Sequence, residues 1–320
     1  PANGLLISPI LPTLLRLALP NTIAMLGSAL VAIAETAYIG RLGIVPLAAI
    51  ALAFPFTMLM QMTSAGAMGG SVSSAISRAL GAGNETRAAT LAWHAAMIGV
   101  CGGMFFTTMM LWFGKSMFAM LGGKGAVLDE ATGYAYVLFS GSIAIWLVNT
   151  LASIIRGTGD MKVPSAATLA VAVLQVICGG ALGLGIGGIP QFGMVGVAAG
   201  QLIAYGLGTG FLIWYLASGR SRLTMNAATF SFRWDMFVDI LKVGAISCFS
   251  PVQTVLTILV FTKIVAGFGI ETLAGYGIGS RLEFLLIPIA FAFGVASIPM
   301  VGMAIGAGLI ARARRIAWIS

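Results

Sequence analysis

Long apolar runs, broken by charges and by Gly/Pro clusters, organise this chain. Eight of them, near 12–38, 46–76, 89–113, 132–155, 163–184, 193–217, 238–262 and 273–303, suit helices crossing a bilayer, which takes ~20 residues each. A ninth run starts after Arg315. Eight spans in series place alternate loops on opposite sides, and the charges sort with them. Twelve Lys and Arg residues, among them Arg16, Arg78, Arg87, Arg156, Lys162, Arg220 and Arg222, share one side. Arg41, Lys115, Lys124 and Lys263 take the other, and Arg281 lies inside the last span. That bias marks the twelve-residue side as cytoplasmic.

Composition narrows the class further. The chain has 320 residues, 59% of them apolar and 8% charged. A soluble domain carries ~25% charged residues, so a soluble enzyme, a nucleic-acid-binding domain and a disordered chain are excluded. The fold class expected is an all-α polytopic membrane protein, a multi-pass protein of a bacterial cytoplasmic membrane. The net charge of +8 follows from the sidedness of the loops, with contacts to anionic lipid as a secondary effect and no call for nucleic acid. Cys101, Cys178 and Cys248 each stand alone in apolar stretches, without disulfide or metal-binding spacing. The single histidine, His94, cannot build a histidine metal site or relay and reads as a polar residue at a helix end.

The chain also repeats itself. Residues 15–49 align with 241–275 at an offset of 226, and Gly81-Ala82-Gly83 falls on Gly306-Ala307-Gly308 at 225, with Arg87 on Arg312. Six spans precede the second copy, so the copies run parallel, related by an axis along the membrane normal. The expected organisation is an N-terminal lobe over 1–217, a cytoplasmic linker over 218–237 and a partial C-terminal lobe over 238–320, holding helices seven and eight and the start of nine. A repeat of this length implies a whole of about 450 residues, hence an expected shortfall of about four helices.

Several motifs resemble one family. Arg16-Leu-Ala-Leu-Pro20 is similar to the opening of the first helix in the multidrug and toxic compound extrusion (MATE) family, and Glu35-Thr36 through Gly40-Arg-Leu-Gly43 to its ending. Ser71 to Arg87 resembles the loop after helix two, Arg156-Gly-Thr-Gly-Asp160 to Pro164 the loop after helix four, and Leu273 to Arg312 helix eight and its loop. The resemblance implies twelve helices in two lobes. It also implies export of organic cations or related amphipathic small molecules, coupled to H⁺ or Na⁺ and using no other cofactor.

Glu35 is the sharpest candidate for chemistry, about 20 residues into the first span. A carboxylate at bilayer depth costs on the order of 2.5–3.5 kcal/mol on insertion scales, so one kept there points to proton or cation binding. In the resembled family this position binds the coupling cation. The alternative is an interfacial residue paired with Arg41. The repeat maps Glu35 onto Phe261, so the second lobe has no matching acid. Asn149, Gln175 and Gln201 are the amides of spans four, five and six. Any of them can face Glu35 or merely cross-link helices. Gln175 is favoured because fifth-helix polar residues complete the family's site, where Asn or Asp is more usual. Glu283 and Arg281 in span eight offer a second-lobe site or two separate ion pairs. Pro20, Pro55, Pro251, Pro288 and Pro299 are expected to interrupt helices, Pro20 mattering most because a bend there shares a helix with Glu35.

The reading is a secondary active multidrug exporter working by alternating access. Its alternatives are a lipid or polysaccharide flippase of related architecture, which calls for a wide cationic cavity, and a truncated membrane protein that does not transport. A membrane enzyme is disfavoured, since there is one His and no close pair of intramembrane Asp residues.

Overall fold

The computed structural model describes residues 2–188, 190–223, 225, 231–266, 268 and 289–320. They are helical, with no strand among them. In chain order the helices are α1 (Ala2–Ile7), α2 (Ile10–Leu42), α3 (Ile44–Gln61), α4 (Gly69–Gly81), α5 (Glu85–Met120), α6 (Gly125–Ser140), α7 (Ser142–Gly157), α8 (Lys162–Leu184), α9 (Gly193–Ala217), α10 (Trp234–Ser247), α11 (Phe249–Ala266), α12 (Ile289–Gly306) and α13 (Ile310–Ile319). Seven stretches are long and apolar enough to cross a membrane, and the bent pair α6–α7 brings the spans to eight. The protein is an integral, multi-pass membrane protein.

Three departures from the sequence reading have local causes. The fourth span starts at Gly125 and bends by 50° between α6 and α7. The bend lies at Gly141, where a Cβ would overlap the side chain of Leu202 from α9. In the second span, α3 and α4 are joined by a π-helical segment, Met62–Met68. Helices α2 and α3 run through Pro20 and Pro55 without interruption. Pro251 stands in the first turn of α11, where a missing N–H is an orphan in any case. Pro288 lies outside the described residues.

Glycines set how closely the helices approach. Gly179 and Gly183 on α8 face Gly196 and Gly200 on α9. A Cβ on Gly200 would overlap the backbone of Gly179, and one on Gly196 the backbone of Leu182. Small residues spaced four apart let membrane helices touch through their backbones, where apolar side chains gain nothing over lipid. Helix α8 packs on α2 as well as α9, so α2, α8 and α9 form one tight sheaf.

The repeated segments meet at the end of the molecule that the charge bias marks as cytoplasmic. The turns after α4 and α12 are equivalent bond for bond. Asn84 N donates to Ala79 O (3.0 Å) and Leu309 N to Ala304 O (2.8 Å), while Gly83 and Gly308 take φ +75° and +76°. The contact between the two helices is reciprocal. A Cβ on Gly81 would overlap the backbone of Met303, and one on Gly306 the carbonyl of Arg78, the positions 225 residues away from that pair. Ser77 touches its own counterpart, Gly302. A twofold axis through a contact demands this pattern. The equivalent arginines continue it. Arg87 reaches Asp239 on α10 (2.8 Å), and Arg312 donates to the carbonyls of Leu5 and Ser8 beside α1.

Candidate cation-coupling site

Glu35 lies on α2 seven residues before its outer end, half-buried against α8 and α9. Gln175 Nε2 donates to both carboxylate oxygens, at 3.1 and 3.3 Å. Gln201 Nε2 donates to Oε1, as does the hydroxyl of Tyr38 at 3.2 Å. Tyr38 is three residues along the same helix, on the same face as Glu35. Gln201 is buried, and its own Oε1 accepts from the hydroxyl of the buried Tyr134 on α6 at 3.1 Å. Glu35, Gln175, Gln201 and Tyr134 each lie ~10–14 Å from the outer ends of their helices, at ~1.5 Å per residue. Four helices therefore bring polar groups to one depth in the outer half of the bundle.

The glycine contacts explain the convergence. Gln175 stands one turn before Gly179, and Gln201 directly follows Gly200. A Cβ on Gly179 would come within 2.8 Å of the Tyr38 hydroxyl oxygen. Close α8–α9 contact thus sets both amides against α2 at the turn where Glu35 and Tyr38 emerge.

Among the described residues no Lys or Arg forms an ion pair with Glu35, so pairing with Arg41 is not seen. Every described contact is a donor to the carboxylate, the set an ionised acid requires. The orientation of Gln201 is fixed from both ends: Tyr134 occupies its oxygen and Glu35 takes its N–H.

Asn149 lies elsewhere. Its Nδ2 donates to Gln61 Oε1 (3.0 Å) and Ser64 Oγ (2.8 Å), and Gln61 Nε2 donates to the Tyr205 hydroxyl (2.6 Å). Asn149 is eight residues from the cytoplasmic end of α7, which puts it deeper than Glu35 and out of its reach. The π-helical segment contributes Ser64 to this second cluster. Helix α9 links the clusters, because Gln201, Tyr205 and Thr209 recur every four residues on one face. Thr209 Oγ1 continues the stripe by donating to Ala144 O (3.0 Å).

His94 departs from its reading as a helix-end residue. It is fully buried, with Nδ1 2.7 Å from Thr90 O and Nε2 accepting from the backbone N–H of Arg233 at 3.0 Å. Those partners call for a proton on Nδ1 and a free lone pair on Nε2. The imidazole thereby pins the segment entering α10 to α5. Arg281 and Glu283 lie outside the described residues. Pro20 is half-buried in α2, four turns from Glu35.

Tyr38, Tyr134, Tyr205 and Gln61 were not singled out from the sequence. Gln61 carried the same signal as the other amides, a polar side chain in an apolar run. The tyrosines gave little, since their rings pass for apolar residues.

Comparison with known proteins follows the same lines. The chain is 26% identical over 296 residues to the probable multidrug resistance protein NorM of Thermotoga maritima, covering 92% of this chain and 63% of that protein. It is 25% identical to the FAD transporter of Shewanella oneidensis, covering 99% and 70%. A solved structure described as the outward-facing conformation of a multidrug resistance MATE family transporter superposes with a TM-score of 0.90 at 26% identity, over 98% of this chain and 69% of that one. The chain thus spans about two thirds of the length of these relatives. The family model MatE matches residues 20–179 and 247–320. The chain belongs to the MatE family of membrane transporters.

Proposed function

We propose that this chain forms the N-terminal lobe and part of the C-terminal lobe of a secondary active multidrug exporter in a bacterial cytoplasmic membrane. The lobes are those of the repeat, residues 1–217 and 238–320, joined by the linker at 218–237. The observation that carries the reading is a carboxylate caged by donors near the outer face, with no described cation to neutralise it.

The cage gives titration a mechanical consequence. A protonated Glu35 becomes a donor on one oxygen, and the donors now facing it can no longer all be satisfied. Gln201 can turn its oxygen toward the new O–H only if Tyr134 gives up that oxygen and accepts from the amide N–H instead. A proton on Oε1 therefore rearranges a chain running from α2 through α9 to α6, whereas one on Oε2 asks only Gln175 to turn. Na⁺, a hard cation, wants oxygen ligands and would require both amides to turn. One proton requires one amide, so we assign H⁺ as the coupling ion.

The reciprocal contact of α4 with α12, with Asp239 bridging Arg78 and Arg87 at 2.8 Å each, closes the cytoplasmic end. That closure, with the likeness to an outward-facing relative, supports an outward-open state. The exported compound would be an amphipathic organic cation. A mainly apolar surface hollow of about 510 Å³ along α11, lined by Phe249, Val252, Leu256, Val260 and Phe261 with Gln253 and Thr257 among them, offers a surface for its greasy part. Exchange follows if protonated Glu35 and bound cargo favour opposite states.

Export of ethidium from cells expressing the protein tests this reading. Glu35→Gln keeps the shape and removes the titration, and it is expected to abolish export driven by a pH gradient. Changing external pH and Na⁺ separately should move export with pH alone. Undiminished export by Glu35→Gln contradicts the site, and dependence on Na⁺ at constant pH contradicts the ion.

A further inference from the structure

A second polar concavity lies at the cytoplasmic end of the N-terminal spans. It encloses about 430 Å³ between α1, the first turns of α2, the α7–α8 turn and the end of α9. Its charged and aromatic lining is Arg16, Asp160, Lys162, Tyr215, Arg220 and Arg222. Four cations thus face one carboxylate, and that carboxylate is already engaged. Asp160 Oδ1 accepts from the backbone N–H of Lys162 (2.9 Å) and Val163 (3.3 Å), and Oδ2 accepts from the Tyr215 hydroxyl (3.4 Å).

Among the described residues none of the four cations forms an ion pair. Arg220 stacks on Trp214, with its guanidinium carbon 4.8 Å from the ring centroid, which leaves the N–H edge for another partner. Sidedness asks only that basic residues stand on the cytoplasmic side. It does not ask that three separate chain segments bring them around one hollow, where like charges repel. The convergence calls for an anion.

The surroundings indicate where that anion resides. Leu15 and Leu19 on α2, and Leu207, Phe211 and Trp214 on α9, are large, exposed and apolar. They flank the cavity's helices on the membrane side, with Trp214 at the level that interfacial tryptophans occupy. Gly4 and Leu5 of α1, with Ser8 just after it, line one side of the cavity, and Arg312 holds that segment through the carbonyls of Leu5 and Ser8. The hollow is thus bordered by apolar surface that faces lipid.

We propose that this cavity binds the phosphodiester headgroup of an anionic phospholipid of the inner leaflet, its acyl chains lying along α2 and α9. Arginines present paired N–H donors that match phosphate oxygens, and basic pockets between spans on the cytoplasmic side take such headgroups.

Native mass spectrometry of the purified protein tests the proposal with three probes: dioleoylphosphatidylglycerol, dioleoylphosphatidylcholine and soluble glycerol 3-phosphate. One phosphatidylglycerol per protein should stay bound at lipid ratios where phosphatidylcholine does not. The double variant Arg16→Gln/Arg222→Gln should weaken that binding at least tenfold, and Arg41→Gln, at the outer end of α2, should leave it unchanged. A circular dichroism melt in detergent alone should be the same for all three proteins, because the substituted side chains are exposed. Phosphatidylglycerol held equally well by the double variant overturns the site. Equal retention of phosphatidylcholine, or glycerol 3-phosphate bound as tightly as the lipid, overturns the assignment to an anionic lipid.

Discussion

Gln201 donates its amide N–H to Glu35 while its amide oxygen accepts from Tyr134 at 3.1 Å. One buried side chain is thus committed in both directions, and the state of the carboxylate is tied to a hydroxyl on another helix. Gln201→Ala leaves both partners short of a hydrogen bond, which costs ~1–3 kcal/mol when groups are buried. Tyr134→Phe removes only the outer link and frees the amide to turn. We expect Gln201→Ala to lose most pH-driven ethidium export, and Tyr134→Phe to keep export with an altered dependence on external pH. Both are read from initial export rates between pH 6 and pH 8, and identical pH profiles for wild type and Tyr134→Phe would count against the relay.

The same cage rests on backbone contact between α8 and α9. Gly200→Val places side-chain atoms where the backbone of Gly179 lies, and overpacking of this kind costs ~1–3 kcal/mol. Gly210→Ala, on the same helix, meets open space. Thermal unfolding in detergent should show a lowered midpoint for Gly200→Val and none for Gly210→Ala, with export falling in the first alone.

The cytoplasmic contact must open once per cycle if access alternates. A Cβ on Gly302 would lie 2.9 Å from that of Ser77, nearer than the ~3.5–4.5 Å of a relaxed disulfide, so cysteines at these two positions, in a background lacking Cys101, Cys178 and Cys248, can cross-link once the two helices shift slightly apart. Ser77→Cys/Gly302→Cys should export under reducing conditions and stop when oxidised, with recovery on adding dithiothreitol. Full export by the oxidised, cross-linked protein would mean that α4 and α12 never separate.

Exchange of one monovalent cation for one proton moves no net charge. Ethidium export should therefore follow the pH gradient and ignore a potassium diffusion potential set with valinomycin. A neutral cargo would instead gain ~2.3 kcal/mol per 100 mV for each proton. Vesicle assays with both kinds of cargo at matched pH gradients separate the two cases.

Much of this arrangement was legible in the residues, for reasons that differ by element. Spans and sidedness follow from run length and from where Arg and Lys fall, because lipid tolerates little else. Gln175 and Gln201 stood out because an amide inside an apolar run needs a partner, and Glu35 was the acid available to the first six spans. Asn149 carried the same signal yet bonds to Gln61 and Ser64, since periodicity gives the face of a helix and not the depth at which two helices meet. The 50° bend at Gly141 was hidden because glycine is common in membrane helices and gives no sign of a break. His94 was misread because its partner is a backbone N–H 139 residues away.

Proton release on cargo binding tests the central claim most directly. Purified protein in weakly buffered detergent, titrated with ethidium at a series of pH values, should release protons as the cation binds over the range in which the free protein holds Glu35 protonated. Glu35→Gln should bind ethidium and release none. Equal proton release from Glu35→Gln and wild type would place the coupling elsewhere in the protein.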